Sequence, residues 1–213
     1  MSTPEEEIER DLAWREAEMG ALKLLLASAT PGSDRQRALL RACCAMVYAH
    51  YEGFCKFCWM LMLTYIERQK IVRQDLCEPL ARRAMASVFR ALRGNTSDES
   101  LWEFASKTFA KEKGACATFP DEIDAESNLW PSVAKRVNAS LGVSCRAFDV
   151  HDSELRQLVG RRNKIAHGEK LEIGNLAQLQ SLENAAVLAM HDLAIAVVEC
   201  LATKSYLRPA EGA

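Results

Sequence analysis

The sequence predicts an all-α fold, a single helical bundle of about six to seven helices, and three observations support this class. Apolar residues recur at helical spacing along most of the chain. Strand signals, such as alternating apolar and polar residues or Asn-Gly hairpin turns, are nearly absent. No internal repeat, low-complexity linker or shift in composition divides the chain. The prediction is therefore one helical domain over residues 1–213.

The first half of the chain predicts four helices joined by turns. The sequence TPEE at 3–6 combines an N-cap threonine, a proline at the first helical position and a capping-box glutamate. TPGS at 30–33 is typical of a turn, and the Gly-Asn pair at 94–95 is typical of a helix end. Ser97 or Asp98 can cap the fourth helix. The four predicted helices cover residues 4–28, 34–68, 78–92 and 98–111.

The second half begins with a predicted loop over 112–128, where glycine, proline and acidic residues follow no period. Asp152 or Ser153 can cap a later helix, and Gly168 is placed to end it. The predicted segments after the loop are a short helix within 129–142, a connector over 143–150, a helix over 153–167 and a last helix over 175–204.

The charge of the chain limits its possible partners. Apolar residues make up 49% of the sequence and charged residues 26%, which is ordinary for a soluble globular protein. The formal net charge of −2 and the pI near 6.1 give no overall attraction to nucleic acid. Any RNA or DNA site must therefore be a local basic patch.

The cysteines predict a reducing compartment. Eight of them are scattered through helical patterns, and the acidic N-terminal sequence shows no secretory signal, so a cytoplasmic protein with reduced thiols is expected. Cys55 and Cys58 have CxxC spacing, but no second pair follows to complete a tetrahedral zinc site. The aromatic residues around them favour small buried thiols over metal or redox use. No metal and no cofactor are expected.

Residues 42–66 are apolar enough to resemble a membrane span. His50, Glu52 and Lys56 interrupt this segment at its middle, and the apolar run that follows is too short to cross a bilayer. A buried central helix is the better interpretation, and no membrane partner is expected.

The segment GRRNKIAHGE at 160–169 places an arginine where the helical pattern predicts an apolar residue. Arg162 falls on the same stripe as Leu158 and Ile165. A buried unpaired guanidinium is very costly, so this side chain must extend to water, pair with a carboxylate or face a polar cleft. Asn163 and His167 are neighbours on one edge at i and i+4, and Arg162 and His167 lie roughly 140° apart on an ideal helix.

Arginine, asparagine and histidine together can cleave RNA through its own 2′-hydroxyl. Histidine exchanges protons near neutral pH, and arginine can bind the phosphate oxygens and stabilise the transition state without a metal. Arg161, Lys164 and Lys170 would supply local positive charge for RNA binding. The alternative is a plain helix whose cations favour its C-terminal dipole, and the Arg-x4-His spacing alone does not decide between the two.

Three stretches together resemble one family. RRNKIAHGE is similar to the signature of the HEPN superfamily, an arginine followed after four to six residues by a histidine, often with a polar residue after the arginine. LLRACCAMVYAHYEGFCK at 39–56 and DAESNLWPSVAKRVNASLGV at 124–143 resemble the corresponding segments of MAE-type HEPN-like nucleases of toxin–antitoxin and phage-defence loci. Order and spacing agree over roughly residues 35–200.

The resemblance implies a metal-independent endoribonuclease that leaves a 2′,3′-cyclic phosphate and a 5′-hydroxyl. It also implies a homodimer in which two motifs form one composite active site. By position, Arg162 and His167 would be the catalytic pair and Asn163 a supporting residue. His50 and Glu52 match the family's second stretch and are expected to face the motif, with Glu52 orienting Arg162 or His167. Their alternative role is a buried polar pair that braces a core helix.

The same resemblance implies a toxin or defence effector with RNA as substrate and an antitoxin or regulatory protein as a possible partner. HEPN toxins paired with nucleotidyltransferase antitoxins often carry a modified tyrosine two positions after the histidine, and Glu169 stands there in this chain. Two alternatives stay open. One is a non-catalytic HEPN module that binds RNA, a nucleotide or a protein partner, and the other is a structural dimerisation domain.

Overall fold

The computed structural model describes residues 2–94, 96–170, 173 and 175–209. Within these ranges the regular elements are helical, which confirms the predicted all-α class, and the only extended pairings are two isolated bridges. The α-helices are α1 (Pro4–Ala27), α2 (Asp34–Arg68), α3 (Glu78–Ala84), α4 (Ala86–Arg93), α5 (Asp98–Glu103), α6 (Phe109–Lys113), α7 (Pro131–Leu141), α8 (Ala147–Val150), α9 (Asp152–Ala166) and α10 (Leu176–Thr203). A 3-10 turn spans Arg73–Asp75, and a π-helical turn spans Phe104–Thr108.

The first helix begins at its predicted cap, and the second begins at its predicted first residue, Asp34. In α1 the Thr3 hydroxyl accepts a hydrogen bond from the Glu6 amide at 3.2 Å, and the Glu6 carboxylate accepts one from the Thr3 amide at 2.9 Å. In α2 the Ser33 hydroxyl accepts from the Gln36 amide at 3.1 Å. These bonds satisfy amides that the first turn of a helix leaves unpaired.

The central helix of the bundle is α2, which packs against α1, α9 and α10. Its second half is buried on most faces, and the Trp59 indole N–H donates to the buried Asn138 side chain of α7 at 2.7 Å. Cys55 and Cys58 lie fully buried on this helix, and burial raises the pKa of both thiols. Their predicted role as core residues is confirmed.

The most apolar helix is α10. Among the described residues it is the one helix long and apolar enough to cross a membrane, with a mean hydropathy of 1.9 over its most apolar window. Half of that window is buried in the bundle, where α10 packs against α1, α2 and α9. A helix in the core of a bundle has the same composition, so this property does not by itself indicate a membrane.

The predicted helix over 78–92 is wrong in one respect, because the structure divides it at Met85. The backbone there has φ −91° and ψ 0°, outside the values of a regular helix. The division lets Leu80, Ala84 and Met85 enter the core, whereas α4 runs along the surface with no buried residue. The packing of a buried residue thus overrides a continuous local helical pattern.

The predicted connector over 143–150 contains the short helix α8. The Asp192 carboxylate of α10 accepts hydrogen bonds from the Ala147 amide at 2.8 Å and from the Cys145 thiol at 3.0 Å. A carboxylate at the first turn of a helix pairs with amides that have no partner inside the helix. The partner lies 45 residues away along the chain, so the local sequence does not reveal it.

Candidate active site at the end of the motif helix

Arg162 lies on the face of α9 that packs against α2, at the position where the helical pattern predicts an apolar residue. Its guanidinium carbon is 4.7 Å from the centre of the Tyr48 ring of α2, and the side chain is half-buried. A guanidinium over an aromatic face is stabilised by the negative potential of the ring. The motif helix therefore holds a cation on its packed face because α2 presents an aromatic ring there.

The hydrogen-bond partners of Arg162 are neutral. Its Nη1 donates to the Asn128 Oδ1 at 3.1 Å and to the Asn163 Oδ1 at 3.2 Å. Among the described residues no carboxylate forms an ion pair with this guanidinium. The two amide oxygens orient the arginine without cancelling its charge, so the charge can act on an anionic ligand.

The Tyr48 ring packs against the Arg162 guanidinium. Its ring is 1% exposed, and its hydroxyl accepts a hydrogen bond from the buried Leu129 amide at 2.9 Å. Burial, with a smaller contribution from the nearby Glu52 carboxylate, raises the pKa of Tyr48 to about 12, although the Leu129 amide acts in the opposite direction. The residue is therefore a neutral phenol at physiological pH. Its bond to Leu129 also fixes the loop against α2, and the neighbouring loop residue Asn128 contacts Arg162 of α9.

The motif helix ends in a Schellman arrangement at His167. The Gly168 amide donates to the Ile165 carbonyl at 3.1 Å, and the Glu169 amide donates to the Lys164 carbonyl at 2.9 Å. Gly168 has φ 75°, the left-handed conformation that glycine adopts without a steric penalty. The predicted end of this helix at Gly168 is confirmed.

The His167 imidazole is exposed at this helix end. Its amide still donates to the Asn163 carbonyl at 3.0 Å, which keeps the two residues on one edge, as predicted. Within the described part of the chain, no side chain forms a hydrogen bond or ion pair with the imidazole. Both ring nitrogens are thus available to exchange protons with a bound substrate.

The predicted RNA-binding residues lie at the same end of α9. Lys164 and Lys170 are exposed, and Arg161 is half-buried. Arg41 of α2 joins them, because its Nη1 donates to the Glu169 carbonyl at 2.8 Å and ties the segment after the helix to α2. Several cations therefore lie toward the C-terminal end of α9, the end that carries the Arg162 site. We define this site as Arg162, Asn163, His167, Tyr48 and Asn128.

The prediction that His50 faces the motif helix is wrong. Its Nε2 lies 2.9 Å from a Glu18 carboxylate oxygen of α1, and its ring contacts the Trp14 ring edge-on at 5.3 Å. The reason is helical geometry, since residues two apart on a helix point roughly 200° apart. His50 and Glu52 therefore cannot both face α9, and His50 has the alternative role of a buried polar residue between two helices.

Glu52 lies near the Arg162 site without pairing with its arginine. Its carboxylate forms an ion pair with Lys56 at 2.8 Å and contributes to the raised pKa of Tyr48. Among its described contacts, Glu52 thus reaches the Arg162 site at Tyr48 and not at the arginine. A direct orienting contact with Arg162 or His167 is not among its contacts in the described residues.

Sequence reasoning missed two residues of the site, Tyr48 and Asn128, and one beside it, Arg41. All three stand inside the two stretches that carry the family resemblance. Tyr48 is one helical turn before Glu52 and shares its face, which is a signal that the sequence does contain. The contact of Asn128 with Arg162 spans 34 residues and depends on how the loop folds back, so no local pattern predicts it.

The fold is an all-α bundle that carries an arginine and a histidine near the end of a packed helix, and comparison with known families identifies the class of protein. The family model described as HEPN_MAE_28990-like HEPN matches residues 4–206. The chain therefore belongs to this HEPN family, as its sequence motifs predict. No curated protein and no solved structure matches the chain significantly.

Proposed function

We propose that the protein is a metal-independent endoribonuclease that uses Arg162 and His167. The observation that carries this proposal is a guanidinium held by neutral groups at a helix end that also presents an exposed imidazole. Family membership supports a role in RNA or nucleotide chemistry. The surrounding cations supply the local positive charge that a chain of net charge −2 needs to bind RNA.

The proposed reaction is a transesterification within the RNA. The His167 imidazole accepts the proton of a 2′-hydroxyl, and the 2′-oxygen attacks the adjacent phosphorus. The bond from phosphorus to the 5′-oxygen breaks, and that oxygen takes the proton back from the His167 imidazolium and leaves as a 5′-hydroxyl. Arg162 stabilises the added negative charge on the phosphate oxygens. The products are a 2′,3′-cyclic phosphate and a 5′-hydroxyl, and DNA is not cut because it lacks the nucleophile.

A cleavage assay with matched variants tests the proposal. Wild-type protein incubated with total RNA and EDTA should give fragments with 5′-hydroxyl ends that a polynucleotide kinase labels without prior phosphatase treatment. Arg162→Ala and His167→Ala should each lower the rate by at least about a hundredfold, the usual range for loss of a charge-stabilising or proton-transferring group. Arg156→Ala and His151→Ala are the controls, since they change an arginine and a histidine on or beside the same helix. Cleavage that survives in both site variants, or that EDTA abolishes, contradicts the proposal.

A second candidate function is RNA binding without cleavage. It is favoured by the imidazole of His167, which no side chain in the described ranges orients. A binding module predicts intact RNA, a complex that weakens in Arg162→Ala, and little effect of His167→Ala. The nuclease predicts fragments and loss of cleavage in both variants, so the same preparations distinguish the two functions.

We also propose that the protein acts in the cytoplasm, away from membranes, as a toxin or defence effector with a neutralising protein partner. The support is family membership and eight cysteines that are all free thiols. Induced expression in a bacterium should stop growth for the wild-type chain and not for Arg162→Ala or His167→Ala. Equal toxicity of all three chains would contradict a nuclease toxin.

A further inference from the structure

A pocket that the proposed function does not use lies apart from the Arg162 site, and we call it the aromatic pocket. It is bounded by the 3-10 turn at 73–75, by α3, α4 and α6, and by the chain segment that ends at Arg208. Its volume is about 340 Å³, within the range of small-molecule sites. None of its lining residues belongs to the Arg162 site.

The inner wall of the pocket is apolar and aromatic. Leu76 and Met85 form its buried base, and Phe89 and Phe109 form its sides. Phe104 contacts both phenylalanines, with ring centres 6.2 Å from Phe89 and 5.6 Å from Phe109. This wall accepts a flat apolar group.

A π-helical turn builds one side of that wall. The Phe109 amide donates to the Phe104 carbonyl five residues earlier, which turns the two rings toward each other. Single π turns inside α-helical segments occur often at functional sites. The whole stretch from α5 to α6 contains no buried residue, so the bundle core does not account for this distortion.

The rim of the pocket is positively charged. Arg82, Lys113 and Arg208 line it, and Glu78 is the one acidic residue among the described lining residues. Glu78 is 3.9 Å from Arg82, at the limit of an ion pair. The Lys113 ammonium lies 5.4 Å from the centre of the Phe109 ring. Three cations beside one weakly paired carboxylate leave an excess of positive charge that an anion can neutralise.

Two arginines at the pocket are held in place by hydrogen bonds, Arg208 through its backbone amide and Arg73 through its guanidinium. The Arg208 amide donates to the Asp75 carbonyl at 2.8 Å, next to the bridge between Leu76 and Leu207. Arg73 is 8% exposed, and its Nη1 binds Glu112 of α6, but its buried Nε has no hydrogen-bond partner among the described residues. Arg73 thus stands in the pocket wall with its charge already paired to Glu112, which leaves the rim cations to meet a ligand.

We propose that this pocket binds a small anion with an aromatic body, whose ring lies between Phe89 and Phe109 and whose carboxylate or phosphate faces Arg82, Lys113 and Arg208. The apolar base requires the ring, and the cationic rim requires the charge. Such a ligand contacts α3, α6 and the segment before Pro209 at once. The site is independent of RNA cleavage.

Fluorescence of 1-anilinonaphthalene-8-sulfonate, an aromatic anion, tests the proposal on the full-length chain. Wild-type protein should bind one molecule saturably. The double variant R82Q/R208Q should weaken binding at least tenfold, whereas R10Q/R35Q, which removes two exposed arginines elsewhere, should not change it. Neutral N-phenyl-1-naphthylamine should bind at least tenfold more weakly than the anion. Circular dichroism and RNA cleavage should be the same for both double variants.

Ala81→Leu gives a second test that leaves the charge unchanged. Ala81 lines the pocket on α3, so the larger side chain should occupy its interior and abolish saturable binding. Competition by 1-naphthyl phosphate and by 1-naphthoate then distinguishes the two anion classes, since the better competitor identifies the natural head group. Binding that is not saturable, that is equal for the anionic and neutral probes, or that R82Q/R208Q leaves unchanged overturns the proposal.

Discussion

At the scale of single residues, Arg162 shows how a bundle holds a cation on a packed face. The tyrosine ring beneath it and two amide oxygens beside it replace water without introducing an opposing charge. The sequence predicts that Arg162 must extend to water, pair with a carboxylate or face a polar cleft, because an unpaired buried charge is so costly. It does not predict which neighbours, since Tyr48 and Asn128 come from other parts of the chain.

Asn128→Asp tests whether neutrality around the arginine matters. A carboxylate at this position would pair with Arg162, and a partly exposed pair contributes roughly 0–1 kcal/mol to the free energy of unfolding. The same pairing would compete with RNA phosphate, so we expect RNA cleavage to fall about tenfold or more while the melting temperature stays equal or rises. Asn184→Asp, an exposed change on α10, is the control. Undiminished cleavage in Asn128→Asp would show that the neutral partners are not required.

Two substitutions at Tyr48 separate the role of its hydroxyl from the role of its ring. Tyr48→Phe keeps the ring under Arg162 but leaves the buried Leu129 amide unpaired, so the free energy of unfolding should fall by about 1–3 kcal/mol while cleavage at low temperature persists. Tyr48→Leu removes the ring as well, and cleavage should then fall at least about tenfold below that of Tyr48→Phe. Calorimetry and initial cleavage rates at one temperature measure both effects. Equal cleavage by the two variants would exclude the ring as a support for Arg162.

At the scale of elements, helix limits could be predicted wherever local chemistry sets them. The capping residues of α1 and the glycine after α9 gave the correct ends. The predicted cap of α9 at Asp152 or Ser153 is wrong, because that helix begins at Asp152 after His151 and has no side-chain cap. The errors at Met85 and at α8 both lie where tertiary packing acts on the backbone, since Met85 is buried and the first turn of α8 binds Asp192 of α10. The residues of the Arg162 site divide in the same way, into those that the local sequence indicates and those that distant segments contribute. Its residues on α9 were predictable, and those contributed by the loop and by α2 were largely missed.

The packing of α1 on α2 should depend on pH through His50. Burial lowers the pKa of His50, against the opposing charges of Glu18 and Asp11 and with a smaller contribution from Arg15. The unfolded chain therefore binds a proton more readily, so the free energy of unfolding should fall as the pH drops below about 6.5, the usual histidine value. His50→Phe should flatten this part of the pH profile and leave the slope between pH 7 and 8 unchanged. Denaturant unfolding at several pH values measures it, and an identical profile for the variant would contradict the assignment.

At the scale of the whole molecule, positive charge is concentrated in two regions, although the chain as a whole has a small negative net charge. The net charge is −2, yet several cations lie together at the end of α9 and at the rim of the aromatic pocket. Composition could exclude a generally basic surface but could not locate these two regions, because side chains from several helices form each of them.

Co-expression of Arg162→Ala and His167→Ala chains tests whether two protomers share one active site. If Arg162 of one protomer acts with His167 of its partner, a heterodimer of the two variants has one intact site and one site that lacks both residues. Random pairing makes half of the dimers heterodimers, so about a quarter of the wild-type cleavage should return, although each variant alone is inactive. Sites contained within one protomer would give no recovery, and so would a monomer. Chains that carry both substitutions, co-expressed with either single variant, are the control and should stay inactive in both cases.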